Sequence, residues 1–199
     1  MTTLSLDGVP DVSGPPDRSL ATASTRESRL EAIFDAHYDA IWRTLRRLGV
    51  PEAGVDDAAQ RVFLVAARRL ETIAEGHEGR YLYGIAVRIA SEVRRRDPAR
   101  REVNDDIVLS TLPDETPGPE EQLLESEARE ALDATLAGMP DDLREVFVLI
   151  EIEGLSAPEV AALFAIPQGT AASRLRRARE AFQESARRVR ARLHHGARR

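Results

Sequence analysis

The 199 residues contain no cysteine. That excludes a disulfide, a thiolate zinc site and a thiol redox switch on this chain. Lysine is absent too, so every cation is an arginine, a choice that GC-rich codon usage can explain without function. Aromatic residues are scarce at 5%, so any core must be built mainly from Leu, Ile, Val and Ala. No apolar run approaches the roughly 18–20 residues that span a bilayer. The first residues lack the basic-then-apolar pattern of a secretory signal. The chain is therefore expected to be cytoplasmic, with no membrane insertion. The four histidines, His37, His77, His194 and His195, are scattered, so no metal site is expected. No phosphate-cradling glycine loop or nucleophile constellation is present, so the chain reads as a non-enzyme without cofactors.

Hydrophobic residues make up 42%, enough to bury a core. The net charge of −6 is acidic, yet its distribution is uneven. From Gln168 to Arg199 there are ten Arg against two Glu, a net of +8. From Arg80 to Arg101 there are seven Arg against Glu92 and Asp97, a net of +5. From Glu102 to Glu121 there are seven acids and no base.

Helical periodicity dominates, and the spacing predicts an all-α fold of two small domains. Residues 1–25 carry Gly, Pro, Ser and Thr without a period and read as a disordered tail. Leu30, Ile33, Phe34, Tyr38, Ile41, Trp42, Leu45 and Leu48 form one stripe on a helix ending near Gly49. A second helix is expected to start near Asp56 and Asp57, with Ala59, Val62, Phe63, Ala66, Ala67 and Leu70 inward. The segment 75–79 reads as a loop. A third helix carries Leu82, Ile85, Ala86, Ile89, Ala90 and Val93, and Pro98 should end it. The stretch 97–119 holds four prolines and an acidic bias; fully extended at ~3.3 Å per residue it would reach about 75 Å. The division is thus a first domain over 26–97, a linker over 98–119, a second domain over 120–193 and a basic tail over 194–199.

The second domain carries the sharpest pattern. Asp141 and Asp142 open a helix that Gly154 stops. Ser156-Ala-Pro-Glu159 is a capping box, with Pro in the first turn where it is tolerated. A short helix follows, burying Val160, Ala161, Leu163 and Phe164. Ala165-Ile-Pro167 makes a tight turn into a long helix. That layout is a helix-turn-helix, whose second helix enters the DNA major groove with its first residues. Here those residues are Gln168, Thr170, Ala171, Ala172, Ser173 and Arg174, followed by Arg176, Arg177 and Arg179. Thr and Ser donate to phosphates, and Arg pairs with guanine or phosphate. The bland alternative is a helical hairpin with a solvated arginine surface.

These residues, Glu151 to Leu163, Ile166 to Thr170 and Ser173 to Arg179, resemble region 4 of the extracytoplasmic-function (ECF) sigma factors of the sigma-70 family. Upstream, Phe34-Asp-Ala-His-Tyr38 resembles the start of region 2, Asp56 to Phe63 region 2.2, and Tyr81 through Arg96 regions 2.3 and 2.4. The resemblance covers about residues 28–101 and 120–192.

The resemblance implies a transcription-initiation factor. Asp56, Asp57, Gln60 and Phe63 would dock on the β′ clamp helices of core RNA polymerase. Arg80, Tyr81, Tyr83, Arg88, Arg94, Arg95 and Arg96 would read and melt the −10 promoter element. Gln168, Thr170, Ser173, Arg174, Arg176 and Arg177 would read the −35 element, with the β flap as a further partner. An anti-sigma factor is implied as an inhibitor. Each residue also has a plain structural role open to it. Phe63 and the tyrosines can be core, the Asp pair a helix start, and the arginines a solvated helix end. Three positions depart from the family pattern: Arg61 replaces a usual acid, Tyr81 a frequent Trp, and Ala172 a common basic residue. Two other classes remain: a stand-alone regulator, which needs no region 2-like blocks, and an enzyme with an appended DNA module.

Overall fold

The computed structural model describes the backbone of residues 18–96 and 119–196, and side chains at 26–96 and 128–191. Among these residues all regular structure is helical, as the periodicity predicts. The linker 98–119 and tail 1–17 lie outside the described residues, apart from Pro119, and so does the end of the basic tail, 197–199.

Helix α1 spans Arg18–Arg47, α2 Glu52–Arg68 and α3 Glu78–Arg96. Residues 18–25 are therefore helix, not tail. Extending a nucleated helix needs far less than starting one, so a segment with no apolar stripe of its own follows its neighbour. The start of the second helix is likewise corrected. It begins at Glu52 behind Pro51, so Asp56 and Asp57 sit in its second turn. Asp56 instead accepts a 2.8 Å hydrogen bond from Trp42 Nε1, tying α2 to α1. A short 3-10 turn, Leu70–Thr72, follows α2. The expected loop at 75–79 closes earlier, because Glu78 already opens α3. Arg29 fixes that entry: it donates to Leu70 O (3.3 Å), Ile73 O (2.7 Å) and Glu78 Oε1 (2.8 Å). That bond holds the Glu78 carboxyl below its ordinary range. Buried faces at three- and four-residue spacing, Val55, Ala58, Ala59, Val62, Phe63 and Ala66 on α2, and Leu82, Ile85, Ala86, Ile89 and Ala90 on α3, close the first core.

The second group runs α4 Pro119–Ala137, α5 Asp141–Phe147, α6 Ala157–Leu163 and α7 Gln168–Gly196. Buried Arg144 donates to Ala137 O (3.3 Å) and Met139 O (3.0 Å), which satisfies the carbonyls at the α4–α5 turn. The helix after Asp141 does not stay α-helical to Gly154. It widens into a π-helical turn over Val148–Ile152, and Gly154 then turns the chain at φ +74. Helix α7 is the spine. Ala171, Ala178 and Ser185, seven residues apart, are buried, and Phe182 stacks on Phe147 with ring centroids 4.4 Å apart. Ser185 Oγ donates to Thr135 O at 2.7 Å, locking α7 to α4. The two helical groups touch, and one apolar cluster runs through both.

Candidate nucleic-acid and partner interfaces

Three surfaces collect the residues singled out in the sequence. The first lies between α1 and α2. Asp56, Asp57, Gln60 and Phe63 converge on an open groove of about 470 Å³, with Leu30, Phe34, Tyr38, Leu64 and Ala67. Its floor is aromatic. Phe34 sits 4.8 Å from Tyr38 and 5.0 Å from Phe63, ring centre to ring centre. Phe63 is 6% exposed, so it is both core and groove floor, whereas Phe34 is 43% and Leu64 52% exposed. Burial first, then Asp56 and Asp39, push the Tyr38 phenol above its ordinary pKa. From the sequence Phe34 was read as part of the apolar stripe and of the Phe34–Tyr38 motif, not as a docking residue, and Leu64 was not picked out. Leu64 carried a signal: it is an apolar residue off the buried stripe of α2. Arg61, the departure from the family pattern, points its charge elsewhere, to Glu92 Oε2 of α3 at 2.5 Å. It braces α2 against α3.

The second surface is α3. Its candidate residues are not equivalent. Arg88, Arg95 and Arg96 are exposed, and Arg96 pairs with Glu92 one turn back at 2.7 Å. Tyr81 is half-buried against the core. The other three are engaged by the second helical group. Arg80 Nη1 meets Glu159 Oε1 at 2.9 Å. Tyr83 lies near Glu153; burial first, and then this carboxylate, push its phenol up to about 12. Arg94, with only 7% of its side chain exposed, holds Asp141 Oδ2 (3.1 Å), Glu145 Oε1 and the carbonyl of Leu48. Glu145 is itself drawn above its ordinary pKa by burial, against the pull of Arg94.

The third surface is the α6–α7 unit. Ser156 Oγ accepts from Glu159 N at 3.4 Å, and Ser156 N donates to Glu159 Oε2 at 2.8 Å, so the capping box forms as the sequence predicts. The Ser156 hydroxyl also donates to Glu159 Oε2 at 2.7 Å, and that bond first, then the one from Ser156 N, hold the Glu159 carboxyl below its ordinary range. Ala165 makes the turn in the left-handed region, φ 52, and α7 starts at Gln168. Gln168 and Ser173 face solvent, while Thr170 and Arg174 are half-buried. Arg176 is exposed and pairs with Glu180 at 2.9 Å; Arg177 is exposed with no ion pair among the described residues. Arg179, on a neighbouring face, is bound by Glu151 at 2.7 Å. Among the described residues no His, Cys, Asp or Glu cluster could hold a metal, and no helix is long and apolar enough to cross a membrane.

A capped short helix, a left-handed turn and a long helix fronted by Thr, Ser and Arg, set behind a three-helix group, define a helix-turn-helix protein. Known proteins narrow this class. The family model for sigma-70 region 4 matches residues 129–182. The chain is 34% identical over 142 residues to the ECF RNA polymerase sigma-E factor of Escherichia coli K12, covering 67% of this chain and 74% of that one. It is 30% identical over 155 residues to the ECF RNA polymerase sigma factor SigE of Mycolicibacterium smegmatis, covering 77% and 60%. Among solved structures, CnrH in complex with the cytosolic domain of CnrY superposes with a TM-score of 0.58 at 25% identity, over 84% of this chain and 95% of that one. The sigma factor RpoE in complex with the anti-sigma factor NepR from Bartonella quintana shares the fold, with a TM-score of 0.57 at 21% identity, over 81% and 96%. The chain belongs to the ECF sigma factors of the sigma-70 family.

Proposed function

We propose that this sigma factor joins core RNA polymerase and carries it to promoters through two DNA-reading units, residues 26–97 as region 2 and 120–193 as region 4. Asp56, Asp57, Gln60 and Phe63 form the polymerase-docking face, widened by Phe34 and Leu64. Residues of α3 read the −10 element and hold one melted strand; Tyr81 is the stacking residue, worth about 1–3 kcal/mol per base. Gln168, Thr170, Ser173, Arg174, Arg176 and Arg177 read the −35 element. The two elements lie about 70 Å apart at ~34 Å per helical turn, a span the 98–119 linker can bridge. Joining two modest DNA readers raises effective concentration, so neither must bind tightly alone. The sigma factor RpoE of Bartonella quintana, held by the anti-sigma factor NepR, supports an anti-sigma inhibitor as a further partner.

The observation that carries the polymerase assignment is the groove. Four residues chosen from sequence line one exposed apolar trough rimmed by two carboxylates. Exposed apolar patches of this kind mark protein partners. The deciding experiment adds the purified chain to core RNA polymerase and looks for promoter-dependent transcripts. The expected result is a holoenzyme that initiates, weakened by Phe34→Ala and Leu64→Ser, which sit at the groove surface. No holoenzyme and no transcript sinks the assignment.

A further inference from the structure

The arginines at the end of α3 share their face with one acid. Arg88, Glu92 and Arg96 follow at four-residue spacing, so they lie one above another on the helix. Glu92 is the only carboxylate from Arg88 to Arg96. A carboxylate there competes with any phosphate for the guanidinium groups, since both offer the same anionic oxygens. The structure gives each of its oxygens a separate partner. Arg61 reaches across from α2 and donates to Glu92 Oε2 at 2.5 Å, while Arg96 donates to Glu92 Oε1 at 2.7 Å. Arg61 is the main partner: its bond, ahead of the charge of Arg96, holds the Glu92 carboxyl below its ordinary range. Arg96 keeps 71% of its side chain exposed. As a source of stability this partly solvated network is minor. Its consequence is for what Arg96 can bind.

We propose that Arg61 is a positioning residue for promoter contact: by claiming one oxygen of Glu92, it keeps that carboxylate from closing on Arg96 and leaves the other N–H donors of Arg96 to a DNA phosphate. The proposal rests on the assignment of α3 as the −10 reader. Without Arg61 both Glu92 oxygens are free to take Arg96 as a fork, the strong form of this pair. A glutamate four residues before an arginine is also the favoured order on a helix, so nothing local opposes that closure. An acid at position 61, as the family pattern usually has, would repel Glu92 and push it the same way. Arg61 itself touches neither DNA nor polymerase in this scheme. It acts through Glu92, from the neighbouring helix, on the donors that Arg96 presents.

The test uses holoenzyme reconstituted with the full chain on a promoter fragment. The parent is compared with Arg61→Gln, Glu92→Gln and the double variant, and each is repeated with Arg96→Gln added. Circular dichroism checks that all keep their helices. Affinity for core polymerase is measured first, by anisotropy of the labelled chain, and promoter affinity is then titrated against salt at saturating chain. All forms should bind core equally. Arg61→Gln should lower promoter affinity on the order of fivefold at ~0.1 M salt and flatten the salt slope by about 0.7–0.9, the share of one phosphate. Adding Glu92→Gln should restore both. With Arg96→Gln in place, Arg61→Gln should change neither, because the partner it acts on is gone. Unchanged promoter affinity in Arg61→Gln overturns the proposal. So does a loss that Glu92→Gln fails to restore, which puts Arg61 itself on DNA. A loss that survives Arg96→Gln is a general charge effect and overturns it too. Weaker core binding without a promoter effect places Arg61 in the docking face instead. If Arg96→Gln alone matches the parent, the −10 role of Arg96 fails and the positioning role with it. No holoenzyme with any form sinks the wider assignment.

Discussion

Helices α3 and α7 both present arginines proposed to meet DNA, yet the protein treats them in opposite ways. Arg94 is 7% exposed and satisfied by two carboxylates and a backbone carbonyl. Arg177 is exposed and has no ion pair among the described residues. The residue type is the same and so is the setting on a long amphipathic helix. What differs is whether a second helix carrying acids lies opposite. An arginine run in a sequence therefore gives an inventory of positive charge, and tertiary packing decides how much of it is on offer.

The largest expected effect separates support from reading. Phe147→Ala removes a ring that is 9% exposed and stacked on Phe182. It should lower stability by about 3–5 kcal/mol, with loss of amide protection along α7 before α3, read by hydrogen exchange. If α3 opens first, α7 is not the spine of the second group.

Arg94→Ala against Arg174→Ala sets the two helices side by side. The first leaves Glu145 and Leu48 O without their donor and should cost about 3 kcal/mol in a denaturant titration. The second, at a surface position, should stay within about 0.5 kcal/mol. Equal costs would erase the distinction between a packed and a presented arginine. DNA binding should invert the order for duplex: Arg174→Ala and Arg177→Ala each reduce the salt slope of −35 duplex binding by about 0.9, with stability kept.

Ser156→Ala removes the cap of α6 and should cost about 1 kcal/mol in thermal unfolding. The same cap sets a pH dependence. Glu159 has a depressed folded-state pKa, chiefly through its bonds to Ser156. Its contribution is present above the ordinary glutamate pKa of about 4.3 and is lost as pH falls through the lower folded value. A carboxyl carbon shift titration should place Glu159 below free glutamate, and Ser156→Ala should move it back up. A small effect is also expected for Arg61→Ala, whose half-exposed pair with Glu92 is worth less than about 1 kcal/mol in a denaturant titration.

Much of this was legible in the chain. The capping box, the turn into α7 and the apolar stripes of α1 to α3 depend on spacing and on local hydrogen bonding, and they formed as spacing predicts. The misplaced start of α2 has a definite cause. Asp56 and Asp57 have the charge of a helix start, but Pro51 had already fixed the backbone one turn earlier, and Trp42 supplied Asp56 with another partner. The π-helical turn at Val148–Ile152 was not legible in a 3.6-residue period, because a widened turn shifts the inward face: Val148 and Leu149 are fully buried and Ile150 only partly. In the candidate sites, Asp56, Asp57, Gln60 and Phe63 were found from motif, but the docking role of Phe34 and Leu64 was not, since exposure of an apolar residue depends on what fails to pack over it.

The sequence by itself determined the helices, the cap at Ser156, the absence of thiol chemistry and the concentration of arginine in α3 and α7, because each follows from local spacing or composition. Only the tertiary structure decided which arginines are free to meet a ligand. Glu145, Glu153 and Glu159 lie 51 to 106 residues from their partners. Charge pairing over that separation is set by how the two helical groups pack, and no periodicity along the chain encodes it.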